Sequence, residues 1–264
     1  MTEDRLRILQ LLLAKAHDLA GLAGLALGLF AMAVPKQGIR HRRFGRFAMI
    51  AMVILLALAL VLLLTYLLPD NPSRGQGPQL LFYLLVVVWM ATYSLLAGYR
   101  WGSPRRGYPI PAWDIPLAVL AALGALLSFG GLVWDLASPP SYSPGLMAGA
   151  FGSELTFVIN GGALLWFAVS DLRVLNQGPL SDQERTTKHV VRVTMLMYSL
   201  TVAVILVNLA PHLFPGMRRP AAYLFSLGVP ALLFVPANAF LLRQATIQAR
   251  DHGSCRSSML EDFR

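Results

Sequence analysis

The side chains with chemical capacity gather in two stretches of this 264-residue sequence. The first is His17-Asp18-Leu19-Ala20-Gly21-Leu22-Ala23-Gly24-Leu25-Ala26-Leu27-Gly28. His17, Gly21, Gly24 and Gly28 recur at i, i+4, i+7 and i+11, which places them on one face of an α-helix. An imidazole above a strip of glycines leaves room for a flat or close neighbour: a second helix backbone, a b-type haem or a quinone. Ionisable groups inside a bilayer cost about 2.5–3.5 kcal/mol or more unless they are paired or hydrated, so His17 and Asp18 each need a partner. Glu154, in the fifth apolar run, is the candidate partner for His17. Counted from Gln10 and Gly145 at 1.5 Å per residue, His17 and Glu154 lie about 10 and 13 Å deep. We therefore expect His17, Asp18, Gly21, Gly24, Gly28 and Glu154 to enclose a small polar pocket between helices one and five. Two readings of it stand: a site for a ligand or for protons, and a buried structural pair beside tightly packed helices. Asn160, Asn208 and Asn238 read as interhelical hydrogen-bonding groups.

The second stretch, Pro35-Lys36-Gln37-Gly38-Ile39-Arg40-His41-Arg42-Arg43-Phe44-Gly45-Arg46, is the densest basic cluster. With His189 and Arg192 from the start of helix six, residues Lys36, His41, Arg42 and Arg46 make a candidate cytoplasmic basic site. Two histidines at one depth have the donor chemistry for a metal or haem. The same cations would hold anionic lipid headgroups, at about 1 kcal/mol per basic residue. No serine-nucleophile elbow, phosphate-binding loop or HExxH pair is present, and the glycines follow no strand, so no catalytic residue is assigned. The one cysteine, Cys255, excludes CxxC chemistry.

The elements that must position these residues follow from composition. The chain is 56% hydrophobic and 13% charged, about half the charge a soluble domain carries. A soluble enzyme and a disordered chain are both excluded by that balance. Seven apolar stretches approach the roughly 20 residues that cross a hydrocarbon core. They are about 11–34, 47–68, 80–97, 115–136, 146–170, 191–210 and 221–242, followed by a polar tail, 243–264. The expected architecture is an all-α, polytopic transmembrane bundle of seven helices, forming one integral membrane domain over 1–264.

The net charge of +9 is an orientation signal rather than a nucleic-acid one. Most Lys and Arg fall in Lys36–Arg46, Arg100–Arg106, Arg173–Arg192 and the tail, all on one side. The positive-inside rule then puts the amino terminus outside and the carboxyl terminus in the cytoplasm, with Arg5 and Arg7 opposing. Trp101, Trp113 and Trp166 fall near inner span ends, and Tyr66, Tyr83 and Trp134 near outer ones, as interfacial belts would.

His17 with its glycine strip, Lys36 and Gly38, the His41-Arg42-x-x-Gly45-Arg46 loop and the later His189-x-x-Arg192 together resemble a known pattern. It is that of an uncharacterised family of bacterial polytopic inner-membrane proteins with a first-helix histidine and a His-Arg-x-x-Gly-Arg loop. The resemblance implies a multi-pass protein of the bacterial cytoplasmic membrane and brings no reaction with it. The expected function is an accessory or complex-forming membrane subunit, packing against copies of itself or other membrane chains and against lipid. A redox protein binding b-type haem or quinone is the alternative. A small-molecule transporter ranks third, because the midplane lacks an acid or base.

Overall fold

The computed structural model describes residues 3–35, 38–66, 78–102, 110–137, 154–177, 180–204, 231–232 and 234–243. All regular structure among them is helical, with no strand. Six long helices are α1 (Glu3–Ala33), α2 (Ile39–Tyr66), α3 (Pro78–Gly102), α4 (Pro111–Ala137), α5 (Glu154–Gln177) and α6 (Asp182–Val204), and residues 234–243 form a further helical stretch. The first five contain segments long and apolar enough to cross a membrane.

Each apolar run continues as helix beyond the hydropathic boundary. Helix α2 starts at Ile39, so His41 to Arg46 lie on it rather than in a loop. Helix α3 extends through Arg100 and Trp101, α5 through Asp171 to Gln177, and α6 begins at Asp182, ahead of Lys188, His189 and Arg192. Hydropathy ends a span at its first charge, whereas the backbone hydrogen-bond ladder ends only where capping intervenes. Caps are visible. Ser181 and Glu184 form a reciprocal box at the start of α6: the Glu184 N–H donates to Ser181 Oγ at 3.2 Å, and the Ser181 N–H donates to Glu184 Oε2 at 2.9 Å. Pro78 and Pro111 open α3 and α4, where a missing N–H costs nothing.

Helix α3 is central, packing against α2, α4, α5 and α6, while α1 packs on α2 and α6, and α5 chiefly on α4. The main core joins Met90, Tyr93, Ala97 and Trp101 of α3 to Leu117, Ala121 and Ala125 of α4 and Leu164, Phe167 and Ala168 of α5. A second core joins Met52 and Leu55 of α2, Leu95 of α3 and Leu196 and Met197 of α6, with Phe234 of the last helical stretch. Outside these cores the surface is apolar, as in Leu22, Val53, Leu60, Leu126 and Leu165. That is the pattern of helices solvated by lipid rather than water.

Candidate functional site

The glycine face of α1 is occupied. Gly21, Gly24 and Gly28 are buried, and the spaces where their side chains would stand hold Leu55 and Leu200, Met52 and Ala51, and Met197 respectively. Unbranched methionine fills irregular gaps well, so the strip without side chains becomes a helix-packing surface against α2 and α6. His17 is half-buried and lies 3.3 Å, through Nδ1, from the Leu55 carbonyl of α2. A carbonyl only accepts, so Nδ1 carries the proton. Gln10 supports the same helix pair by donating to Thr65 Oγ1 at 3.2 Å.

Of the other expected pocket residues, Asp18 stands apart from that face. Asp18 is exposed on α1. Glu154 is the first residue of α5 rather than a mid-helix position, and its side chain, like Gly145, lies outside the described residues. Helices α1 and α5 each have other principal neighbours.

The basic residues also separate. Lys36 lies outside the described residues, and Arg42 and Arg46 are exposed on the first turns of α2. His41 donates through Nδ1 to the Ala31 carbonyl at 2.7 Å, tying the end of α1 to the start of α2. His189 donates through Nδ1 to the Gly98 carbonyl of α3 at 2.8 Å. Each ring is committed to a different helix. Among the described residues, no group of three or more His, Cys, Asp or Glu could hold a metal ion.

Arg192 belongs instead to a buried ionic cluster that the sequence reading missed. The Asp171 carboxylate of α5 accepts from Tyr93 Oη of α3 at 2.6 Å, from Arg192 of α6 at 2.8 Å and from Lys188 Nζ at 3.2 Å. Lys188 Nζ also donates to the Ser170 carbonyl at 2.8 Å and to Ser170 Oγ at 2.6 Å. Beside it, Arg100 of α3 grips Asp114 of α4 in a two-point pair, at 2.9 and 3.0 Å, while the Ile110 N–H donates to the same carboxylate at 2.7 Å. Arg100 and Asp114 are fully buried, and Asp171 and Arg192 nearly so.

Aromatic rings line the charges. Arg100 lies 4.4 Å from the Trp101 ring centre, Lys188 5.2 Å from the same ring, and Arg192 4.3 Å from Phe167, which stacks on Tyr93. Negative ring faces make such cation contacts favourable where water is excluded. Burial pulls the Lys188 ammonium below the ordinary lysine range, with the Asp171 carboxylate opposing that shift. Trp101, expected in an interfacial belt, is fully buried here, whereas Trp113, Trp134 and Trp166 are exposed on the apolar surface.

This cluster joins α3, α4, α5 and α6 at the end of the bundle where α5 ends and α6 begins. Arg192 lies about 15 Å along α6 from Asp182, and Asp171 about 9 Å from the end of α5, at 1.5 Å per residue. Its chemistry is charge pairing, with Arg100, Lys188 and Arg192 sharing two carboxylates. With three donors on Asp171 and three on Asp114, both carboxylates are committed to fixing helix register. One signal of it was legible: two carboxylates, Asp114 and Asp171, stand next to apolar runs on the side dominated by cations. No family model, curated protein or solved structure matches the chain.

Proposed function

We propose that this chain is a complex-forming, non-catalytic subunit of a bacterial inner membrane, with its amino terminus outside and its carboxyl terminus in the cytoplasm. The observation that carries this reading is the division of polar groups on α1. His17 faces inward and meets the Leu55 carbonyl, but its neighbour Asp18 faces outward and is exposed together with Lys15. Leu55 lies within the uncharged run from Phe47 to Tyr66 of α2, about 12 Å from the first and about 16 Å from the second at 1.5 Å per residue. Asp18 thus stands nearer mid-membrane depth than the outer level expected from the sequence, on an outward surface where an unneutralised carboxylate costs about 2.5–3.5 kcal/mol or more. A partner chain covering it relieves that cost.

The occupied glycine face gives no comparable support to the haem or quinone alternative. The exposed Arg40, Arg42, Arg43 and Arg46 support contact with anionic headgroups at the end of α2. The test is extraction of native membranes into lipid nanodiscs, followed by native mass measurement. A complex larger than one chain, reduced by Asp18→Asn, is the expected result. A single chain under all conditions overturns the proposal.

A further inference from the structure

The same face of α1 points to what the partner is. Leu11, Lys15, Asp18, Leu22, Ala26, Leu29 and Ala33 are all exposed. Their spacing of four, three, four, four, three and four residues keeps them in a sector of about 80° on a helix of 3.6 residues per turn. That sector lies roughly 130° around α1 from the glycine face, so it is directed away from α2 and α6. Alternating steps of three and four are the spacing by which two helices interdigitate along a seam crossing at about +20°. The seam is apolar except at one level, where a cation and an anion sit one turn apart. Lys15 and Asp18 make no ion pair with any described residue, their own neighbour at i+3 included.

We propose that this seam pairs with the α1 seam of a second copy of the chain, each Asp18 accepting from the other copy's Lys15. The inference rests on the reading of the chain as a complex-forming subunit and specifies its partner. Charge complementarity selects the occupant. Copies inserted in one membrane with one topology bring their first helices together in parallel, and a two-fold axis along the membrane normal sets each patch against itself. Residues 15 and 18 differ by about 4.5 Å in height at 1.5 Å per residue, within the reach of a lysine side chain. The two copies therefore form two reciprocal pairs, and no charge at that level is left over. Leu11 on one side of the pairs and Leu22, Ala26, Leu29 and Ala33 on the other supply apolar layers. Polar groups at one level of an otherwise apolar seam fix both register and partner number.

The experiment uses the full chain carrying Cys255→Ser, reconstituted in lipid bilayers, with single cysteines for oxidative cross-linking. Leu22→Cys and Leu29→Cys are expected to give disulfide-linked dimers. Val53→Cys, on the exposed face of α2, is expected to give none. Asp18→Asn and Lys15→Met should each lower the dimer fraction at fixed protein-to-lipid ratio at least tenfold in the equilibrium constant. Lys15→Asp alone should abolish pairing, and Lys15→Asp combined with Asp18→Lys should restore it, which loss of folding could not do. Equal cross-linking at Val53 and Leu22, or no response to either charge variant, overturns the inference. A hetero-complex in native membranes without Leu22 cross-links overturns the second copy as partner while leaving the subunit reading intact. A lone chain in native membranes overturns both.

Discussion

The α1–α2 hairpin and the α3–α6 frame bring helices together by opposite means. In the hairpin, the glycines of α1 face the flexible ends of Met52 and Leu55 of α2 and of Met197 and Leu200 of α6, and the polar ties between α1 and α2 are uncharged: His17 on the Leu55 carbonyl, His41 on the Ala31 carbonyl and Gln10 on Thr65. In the frame, the tightest glycines face rings, Gly124 meeting Trp89, Gly131 meeting Phe82 and Phe157, and Gly161 meeting Phe129, while Gly98 meets Val193. There the main polar ties are ion pairs with three donors on each carboxylate. Exposure follows the same division, since half of the spanning window of α3 is buried but only 22% of that of α1 and 17% of that of α2. Rings and ion pairs are directional and fix one arrangement, whereas methionines tolerate several. The frame is built to hold itself, and the hairpin is built to present a surface.

The comparison breaks most sharply at the ionic cluster. Asp171→Asn leaves Arg192 and Lys188 without a counter-charge and should cost about 3–5 kcal/mol, as breaking a buried pair does. Thermal unfolding in detergent, followed by circular dichroism, should show the loss. Replacing Asp171, Lys188 and Arg192 together with leucine or methionine should recover most of it, because such clusters contribute more to register than to net stability.

Gly124→Ala is next. Its methyl would lie 2.5 Å from the Trp89 ring and 2.9 Å from Leu164. The ring cannot retreat without losing its N–H bond to the Leu120 carbonyl at 2.7 Å, so about 1–3 kcal/mol should be lost in the same assay. His17→Ala removes a single neutral hydrogen bond and should cost about 1 kcal/mol. Gly28→Ala sharpens the contrast. Its methyl would also come within 2.5 Å of a neighbour, but that neighbour is the terminal methyl of Met197. The thioether can swing aside, so less than about 1 kcal/mol is expected. Equal costs at Gly124 and Gly28 would erase the distinction between the two regions.

The smallest effect lies at the capping box. The Ser181 hydroxyl and backbone N–H hold the Glu184 carboxyl below its ordinary value of 4.5. A carboxyl lowered on folding contributes stability above its unfolded value, and that contribution fades as pH falls through the folded value. Melting temperature should therefore decline slightly below about pH 4.5, and Ser181→Ala should flatten that decline.

The helical bundle was legible because apolar runs of span length leave few alternatives, and α1 to α5 lie where those runs are. The extent of the helices was not. Hydropathy stops at Ser170 and resumes at Val191, which leaves Asp171 and Lys188 between spans and Arg192 at the edge of one, although they lie well within α5 and α6. The same cations also carry the orientation signal, which accounts for them without any carboxylate facing them. For α1, spacing puts the glycines on one face but says nothing about what fills it. The neighbours, Met52 and Met197, are distant in sequence and carry no mark of their role. The second face of α1, Lys15 with Asp18, was readable in the same helical projection.

The frame is fastened unequally at its two ends. Among the described residues, charges hold the end near Arg100, Asp114, Asp171 and Arg192, while rings, Phe82 against Trp134 at 5.7 Å and against Phe157 at 6.4 Å, meet at the other. Motion in α3, α4 and α5 should accordingly have a direction. Backbone amides should exchange with deuterium slowest beside the fastened end and progressively faster toward the rings, so the three helices breathe like a fan held at its pivot.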